Sequence, residues 1–306
     1  MTIPTDPHTK HLIVLVGPTA SGKTALSIQL ADQLQTEIIS SDARQFYKEI
    51  PIGTAQPTKA EQQDIPHHFL SFLPIQTTYT AGLFAQEALE KLKKLFERKK
   101  QLLLVGGSGL YIQALCEGLA AFPPIDPLLR TNLNDALATK GLDWLVARLQ
   151  QEDPTYCHTV DLQNPKRVIR ALEVCLGTGM PYSTFRQQMP PPRDFNVIKI
   201  GLMLPKEVLH QRIDLRVEEM MEQGLLQEAE KAYPYRACNA LQTVGYRELF
   251  HFMDGQCSLA AAVAQIKANT KKYAKRQMTW FKKDTTIRWF GPEEKASIGA
   301  YIKNLL

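Results

Sequence analysis

The chain is short of the residues that usually settle a protein's class. Of 306 residues only five are cysteine, namely Cys116, Cys157, Cys175, Cys238 and Cys257, and no two form a C-x-x-C pair. Scattered singly, they suggest neither a zinc site nor a disulfide framework and read as ordinary thiols. The seven histidines show no H-x-x-x-H or H-E-x-x-H spacing, so no histidine metal triad is indicated. No stretch approaches the roughly 20 apolar residues a membrane helix needs. The polar start from Met1 to Lys10 has no apolar signal core. A cytoplasmic protein with no membrane partner is expected. Repeats and low-complexity tracts are lacking too. The net charge of +5 is too mild to prove a nucleic-acid partner by itself. The 44% hydrophobic content is that of a folded globular protein, with room for one large domain or two modest ones.

Against these absences stands one dense motif. Gly17-Pro18-Thr19-Ala20-Ser21-Gly22-Lys23-Thr24 fits G-x-x-x-x-G-K-[ST], after the apolar run Leu12–Val16 and before a helix-like pattern. A strand, a glycine-rich loop and a helix start make a phosphate site. Successive backbone N–H groups form a concave anion cradle, and the helix N-terminus adds partial positive charge. Lys23 can reach outer phosphates, and the Thr24 hydroxyl can ligand Mg²⁺. The motif implies a bound diphosphate or triphosphate but not the chemistry that follows.

The spacing predicts strands at 11–16, 37–40 and 102–105 and helices at 24–34 and 81–99. Continuous apolar strands alternating with helices imply a buried parallel sheet. Ligands of such sheets sit at the carboxyl ends of the strands. The loop 17–24, Asp42 after the second strand and Gly106–Gly109 after the next should therefore share a cleft. Phe122-Pro123-Pro124-Ile125-Asp126-Pro127 interrupts the pattern, and 128–188 then reads as helices closed by Met189-Pro190-Pro191-Pro192. A strand returns at 196–204, 206–283 is mostly helix, and 286–290 is a last strand. The expected organisation is an α/β core from 1–119 and 196–306 with an all-helical insertion at 120–195.

Several polar residues carry two readings. Asp42 is either a working carboxylate facing phosphate or a helix cap or turn residue. Arg44 and Gln45 could bind a polar substrate or face solvent. The strand at 102–105 ends in Gly106-Gly107, where many phosphate-loop ATPases place an acidic residue for Mg²⁺, which argues against ATP hydrolysis. Ser108 then offers a hydroxyl. Arg167 and Arg170 share a helix face, with Glu173 within salt-bridge spacing of Arg170. Arg212 and Arg216 form a cationic edge suited to clamp a departing diphosphate, or to pair with Asp214 and Glu219. Lys267 to Lys283 holds seven basic residues and no acid, with Tyr273, Gln277, Trp280 and Phe281 interleaved. That pattern fits RNA, through phosphate contacts and base stacking, or a solvated basic face.

Taken together, these segments resemble the bacterial tRNA dimethylallyltransferases, also called tRNA isopentenyltransferases. The resemblance rests on Gly17–Thr24, Ile38–Tyr47, Ile52–Pro57, Pro66-His67-His68, Gly106–Tyr111, Asn164–Glu173, Gln242–Leu249 and Tyr273–Phe281, and so spans nearly the whole chain. It implies a P-loop NTPase-like α/β fold and transfer of a dimethylallyl group from dimethylallyl diphosphate to N6 of adenosine 37 in tRNA. The phosphate loop (Gly17, Pro18, Thr19, Ala20, Ser21, Gly22, Lys23 and Thr24) would then hold the leaving diphosphate. By the same resemblance Asp42 is the base, Thr19 touches the diphosphate or orients Asp42, and Lys23, Mg²⁺ on Thr24 and Arg212 or Arg216 oppose the leaving charge. The tRNA would be touched by Asp42, Ala43, Arg44, Gln45, Ser108, Lys166, Arg167, Val168, Ile169 and Arg170, and by Arg130 in the insertion. Gln242, Thr243, Gly245, Tyr246, Arg247, Lys275, Arg276, Gln277 and Trp280 belong to the same expected surface. The family commonly has serine at Ala43, so one hydrogen bond to the nucleotide is in doubt, and threonine at Ser108, which keeps the hydroxyl. A monomer is expected. Three competing readings are an ATP-using kinase, a transferase acting on free AMP, and an RNA-binding protein without catalysis.

Overall fold

The computed structural model describes residues 9–188 and 190–306. The polar segment 1–8 and Met189, read above as part of the close of the insertion, lie outside the described residues. The chain divides into two compact units, Met1–Cys116 with Arg193–Leu306, and Glu117–Pro192.

The first unit is built on one all-parallel sheet in the order β3-β2-β4-β1-β5-β6. Its strands are β1 (His11–Val16), β2 (Ile38–Ser40), β3 (His67–His68), β4 (Gln101–Gly106), β5 (Asn196–Leu202) and β6 (Arg288–Phe290). Its helices are α1 (Lys23–Gln33), α2 (Lys59–Gln62), α3 (Ala81–Phe96), α4 (Gly109–Cys116), α9 (Lys206–Glu222), α10 (Leu225–Ala232), α11 (Tyr246–Met253), α12 (Leu259–Phe281) and α13 (Lys295–Lys303). Every residue of β1 is buried, because apolar side chains on both strand faces meet packed layers. Leu12, Val14 and Val16 pack on one face with Phe84 and Leu92 of α3; Ile13 and Leu15 pack on the other with Leu26 and Leu30 of α1.

Register brings the chemistry together. Val16 lies opposite Gly106, and Ser40 opposite Val105, so β1, β2 and β4 end side by side. The expected strands at 11–16 and 102–105 are present, and β5 ends two residues before the predicted 204. β3 was not visible as a strand. Two histidines after Pro66 carry no apolar run, and their extended backbone comes from pairing with Ile38 and Ile39. Where the chain leaves and re-enters the unit, the Arg193 guanidinium donates to the carbonyls of Leu115 (2.8 Å) and Ala114 (3.0 Å).

The second unit is helical, with α5 (Pro127–Glu152), α6 (Pro154–Cys157), α7 (Pro165–Thr178) and α8 (Tyr182–Arg186). Gly141, at φ 82 and ψ 174, breaks α5. Asn164 caps α7 by accepting from the Arg167 N–H, and Pro165 takes the first turn, where a missing N–H costs nothing. One stripe of α7 (Val168, Ala171, Leu172, Cys175) packs with Leu145 and Leu149 of α5. This packing corrects one expectation: Val168 and Ile169 are buried in this core, so their side chains are not offered to RNA.

Candidate functional site

The phosphate loop connects β1 to α1 through two demanding positions. At Gly17 a Cβ would come within 2.8 Å of the Leu202 carbonyl oxygen, so the strand can end there only as glycine. Gly22 opens α1 in the left-handed conformation at φ 90, which leaves the first N–H groups of the helix facing the loop. The Ser21 hydroxyl is buried without a hydrogen-bond partner among the described residues, a cost the loop retains where an oxygen-rich ligand would relieve it. Lys23 Nζ donates to the carbonyls of Gly17 (2.9 Å) and Pro18 (2.8 Å). Burial lowers the Lys23 ammonium to about 8, Asp42 acts against that shift, and Arg216 reinforces it. A cation held so far below its ordinary value is ready to gain from an anion.

Asp42 leaves the end of β2, where its Oδ1 accepts from the Arg44 N–H at 3.2 Å. Burial raises its pKa, while the Arg44 N–H and the charges of Lys23, Arg44 and Arg216 pull the other way. Gly106 lies so close to Ser41 that a Cβ would come 2.5 Å from the Ser41 carbonyl oxygen. Gly106 thus lets the ends of β2 and β4 touch. The Ser108 hydroxyl accepts from the Ala43 N–H (2.9 Å). Arg216 Nη1 donates to Thr19 Oγ1 at 3.3 Å. Thr19, Lys23, Thr24, Asp42, Arg44, Gln45, Arg216, Tyr273 and Gln277 line one cleft, beside an apolar wall of Val217, Met220, Leu225, Val244 and Ile266. One end can hold an anion, the wall can take a small apolar group, and a carboxylate can take a proton between them.

Comparison with known proteins decides the family. The sequence pattern of the family described as IPP transferase matches residues 45–284. The chain belongs to the IPP transferase family. It is 50% identical over 295 residues to the tRNA dimethylallyltransferase of Christiangramia forsetii, covering 96% of this chain and 98% of that protein. It is 48% identical over 289 residues to tRNA dimethylallyltransferase 1 of Porphyromonas gingivalis, covering 94% and 96%. Among solved structures it resembles the full-length tRNA isopentenylpyrophosphate transferase of Bacillus halodurans (33% identity, TM-score 0.72, 96% of each chain). It also resembles a eukaryotic dimethylallyltransferase acting on tRNA (26% identity, TM-score 0.79, 97% of this chain and 78% of that one). The fold is therefore the P-loop NTPase-like α/β core of this family.

Within that family fold, the expected residues sort into groups. Thr19, Lys23, Thr24, Asp42, Arg44, Gln45, Thr243, Gly245, Arg216 and Gln277 all line the cleft. Of the two candidate arginines, Arg216 faces it. Arg212, one turn earlier on α9, is exposed and absent from the lining, which corrects its expected place among the catalytic groups. Tyr246 is fully buried with its hydroxyl on Glu228, so it too is removed from the expected tRNA surface. Gln277 lines the cleft with only 6% of its surface exposed. In the helical unit Arg130 and Arg170 both contact the buried Glu173 carboxylate, at 2.5 and 3.1 Å, so neither guanidinium stands free. Lys267 and Lys271 of the basic run pair with Glu218 and Asp214 of α9. Exposed positions remain at Lys166, Arg167, Gln242, Arg247, Lys275, Arg276 and Trp280. The residue no sequence signal marked is Glu228, one of two acids on α10.

No group of three or more histidine, cysteine or acidic side chains able to hold a metal occurs among the described residues. Mg²⁺ needs none, because it keeps waters and takes substrate phosphate oxygens. Thr24 in the cleft and the unpartnered Ser21 hydroxyl in the same loop fit a cation that arrives with a diphosphate. Among the described residues no helix is long and apolar enough to cross a membrane.

Proposed function

We propose that this chain transfers the dimethylallyl group of dimethylallyl diphosphate to N6 of adenosine 37 in the tRNA anticodon loop, releasing diphosphate. The observation that carries the reading is the single cleft in which a phosphate loop, an apolar wall and the Asp42 carboxylate meet. In the reaction the bond from the allylic carbon to the diphosphate oxygen breaks and the bond to N6 forms. The adenine amine is a weak nucleophile because its lone pair is delocalised into the ring. Its proton passes to Asp42, whose raised pKa suits it to accept. Lys23, Arg216 and Thr19 oppose the charge that grows on the departing diphosphate. Mg²⁺, held by the Thr24 hydroxyl and substrate oxygens, would supply further charge neutralisation there. Val217, Met220, Leu225, Val244 and Ile266 give the five-carbon group an apolar surface.

The flipped adenosine would be flanked by Asp42, Arg44 and Gln45, with Ser108, held by Ala43, nearby. Lys275, Arg276 and Trp280 on α12, Arg247 on α11, and Lys166 and Arg167 on α7 of the helical unit would touch the tRNA strand. The enzyme would work as a cytoplasmic monomer.

The test mixes purified protein, Mg²⁺ and radiolabelled dimethylallyl diphosphate with unmodified tRNA, AMP or ATP in parallel. Label in tRNA alone is the expected result. Label in AMP moves the acceptor to a free nucleotide, and ATP consumption without label overturns the transferase reading.

A further inference from the structure

We propose that Gln277 is a positioning residue for the diphosphate, clamping the phosphate loop to the turn after β4, and does not read the tRNA. The proposal rests on the cleft being a diphosphate site, as above. Gln277 sits on α12 and is 6% exposed. Its amide is used at both ends. Oε1 accepts from the Thr19 N–H at 2.9 Å, and Nε2 donates to the Gly107 carbonyl at 2.9 Å. These partners fix the amide's orientation, because an N–H requires an acceptor and a carbonyl requires a donor. A carboxylate, a thioether or an alkyl chain of the same length satisfies one partner at most.

The clamp reaches further than its two bonds. Thr19, fixed through its N–H, receives Arg216 on its hydroxyl at 3.3 Å. Gly107, Gln277, Thr19 and Arg216 thus form one continuous polar chain from β4 to the groups that face the diphosphate. The glycine at 107 belongs to the same device, since a Cβ there would overlap Gln277 Nε2. This supplies a reason for the missing acidic residue after β4: a side chain at that position would displace the clamp. The neighbours Lys275 and Arg276 are exposed, so the surface α12 offers to a polyanion does not include Gln277.

The test uses the full-length enzyme and two substitutions that break the clamp from opposite ends, Gln277→Met and Gly107→Ala. Binding of inorganic diphosphate with Mg²⁺ is measured by titration calorimetry without tRNA, and transfer kinetics are measured with each substrate varied. Losing two buried hydrogen bonds should raise the diphosphate Kd and the KM for dimethylallyl diphosphate at least about tenfold in both variants, with the KM for tRNA within about twofold. A raised KM for tRNA with unchanged diphosphate binding would overturn the proposal and return Gln277 to base reading. A lowered melting temperature with kcat reduced and both KM values unchanged would overturn it as mere packing. Should Gln277→Met fail to fold, Gly107→Ala alone decides by the same criteria. If even the wild type transfers no label but the calorimetry still separates the proteins, the transferase reading falls and the clamp stands.

Discussion

Asp42 and Glu228 are two carboxylates of the α/β unit drawn away from water, and their surroundings differ in kind. Glu228 is saturated: it accepts from the N–H groups of Ile52 (2.9 Å) and Gly53 (2.8 Å) and from the Tyr246 hydroxyl. Gly53 is part of that arrangement, because a Cβ there would overlap the Tyr246 ring and hydroxyl. Asp42 accepts a longer bond from the Arg44 N–H and otherwise opens on the cleft. A buried carboxylate with full partners strengthens a fold. One with few partners, raised in pKa, costs stability and keeps a lone pair for substrate. Burial alone therefore does not separate a working acid from a structural one, but the inventory of donors does.

The largest expected effect tests the Asp42 side of this contrast. Asp42→Asn should cut transfer by at least about 10²-fold, as expected for loss of a general base. The same substitution should raise the melting temperature at pH 7. The native state disfavours the charged form of Asp42, so it holds the proton more tightly than the unfolded chain does. Wild-type stability relative to the variant therefore falls as pH rises from the ordinary carboxylate range through the raised value. The variant's advantage should grow as pH rises through that raised value and vanish near pH 3, below about 3.9 where both states are protonated. Calorimetry from pH 3 to 7.5 checks this, and a lower melting temperature at pH 7 would place Asp42 with Glu228.

A smaller effect distinguishes the two arginines of α9. Arg216→Gln removes a donor that faces the cleft and, on the proposed function, should cost about 10²-fold in kcat, whereas Arg212→Gln should change it by less than about twofold. Equal losses would mean that the exposed Arg212 swings into the cleft with substrate bound.

The sequence made the cleft side of the contrast legible and left the Glu228 side hidden. Gly17–Thr24 announces itself because an anion cradle needs fixed glycine and lysine spacing, and the strand ends follow from apolar runs. Asp42 could be placed in the cleft from its position after β2. Arg216 could not be chosen over Arg212, since both lie on one helix edge and only the packing of α9 decides which faces inward. Val168, Ile169 and Tyr246 were assigned to RNA by their motif segments, yet a segment that forms a surface must also bury alternate residues to stay folded. Glu228 gave no signal because its three partners come from loop 52–53 and from Tyr246, and nothing in the local spacing around an acid on a helix encodes distant donors.

The smallest expected effect on catalysis belongs to Glu228, and it is where the contrast can break. Glu228→Gln replaces one acceptor oxygen with an NH₂ group that faces N–H and O–H donors. It should lower stability by about 1.5–3 kcal/mol, the usual worth of hydrogen bonds to a charged group. Tyr246→Phe removes one donor to the same carboxylate and should cost a comparable amount, about 1.5–3 kcal/mol. The double variant should cost less than the sum, since both substitutions disable the same contact. Transfer by the folded variants should fall only a few-fold, because the clamp reaches the cleft indirectly. Glu228 holds Ile52 and Gly53, and the next residues, Thr54 and Ala55, accept from Gln45 Nε2 at 3.1 and 3.0 Å. Whatever activity is lost should appear in the KM for tRNA, with diphosphate binding unchanged, since Gln45 lines the cleft with Asp42 and is, on the proposed function, on the acceptor side. A Glu228→Gln enzyme of unaltered melting temperature but with kcat as low as that of Asp42→Asn would show that a saturated carboxylate takes part in the chemistry, and the donor inventory would no longer tell the two apart.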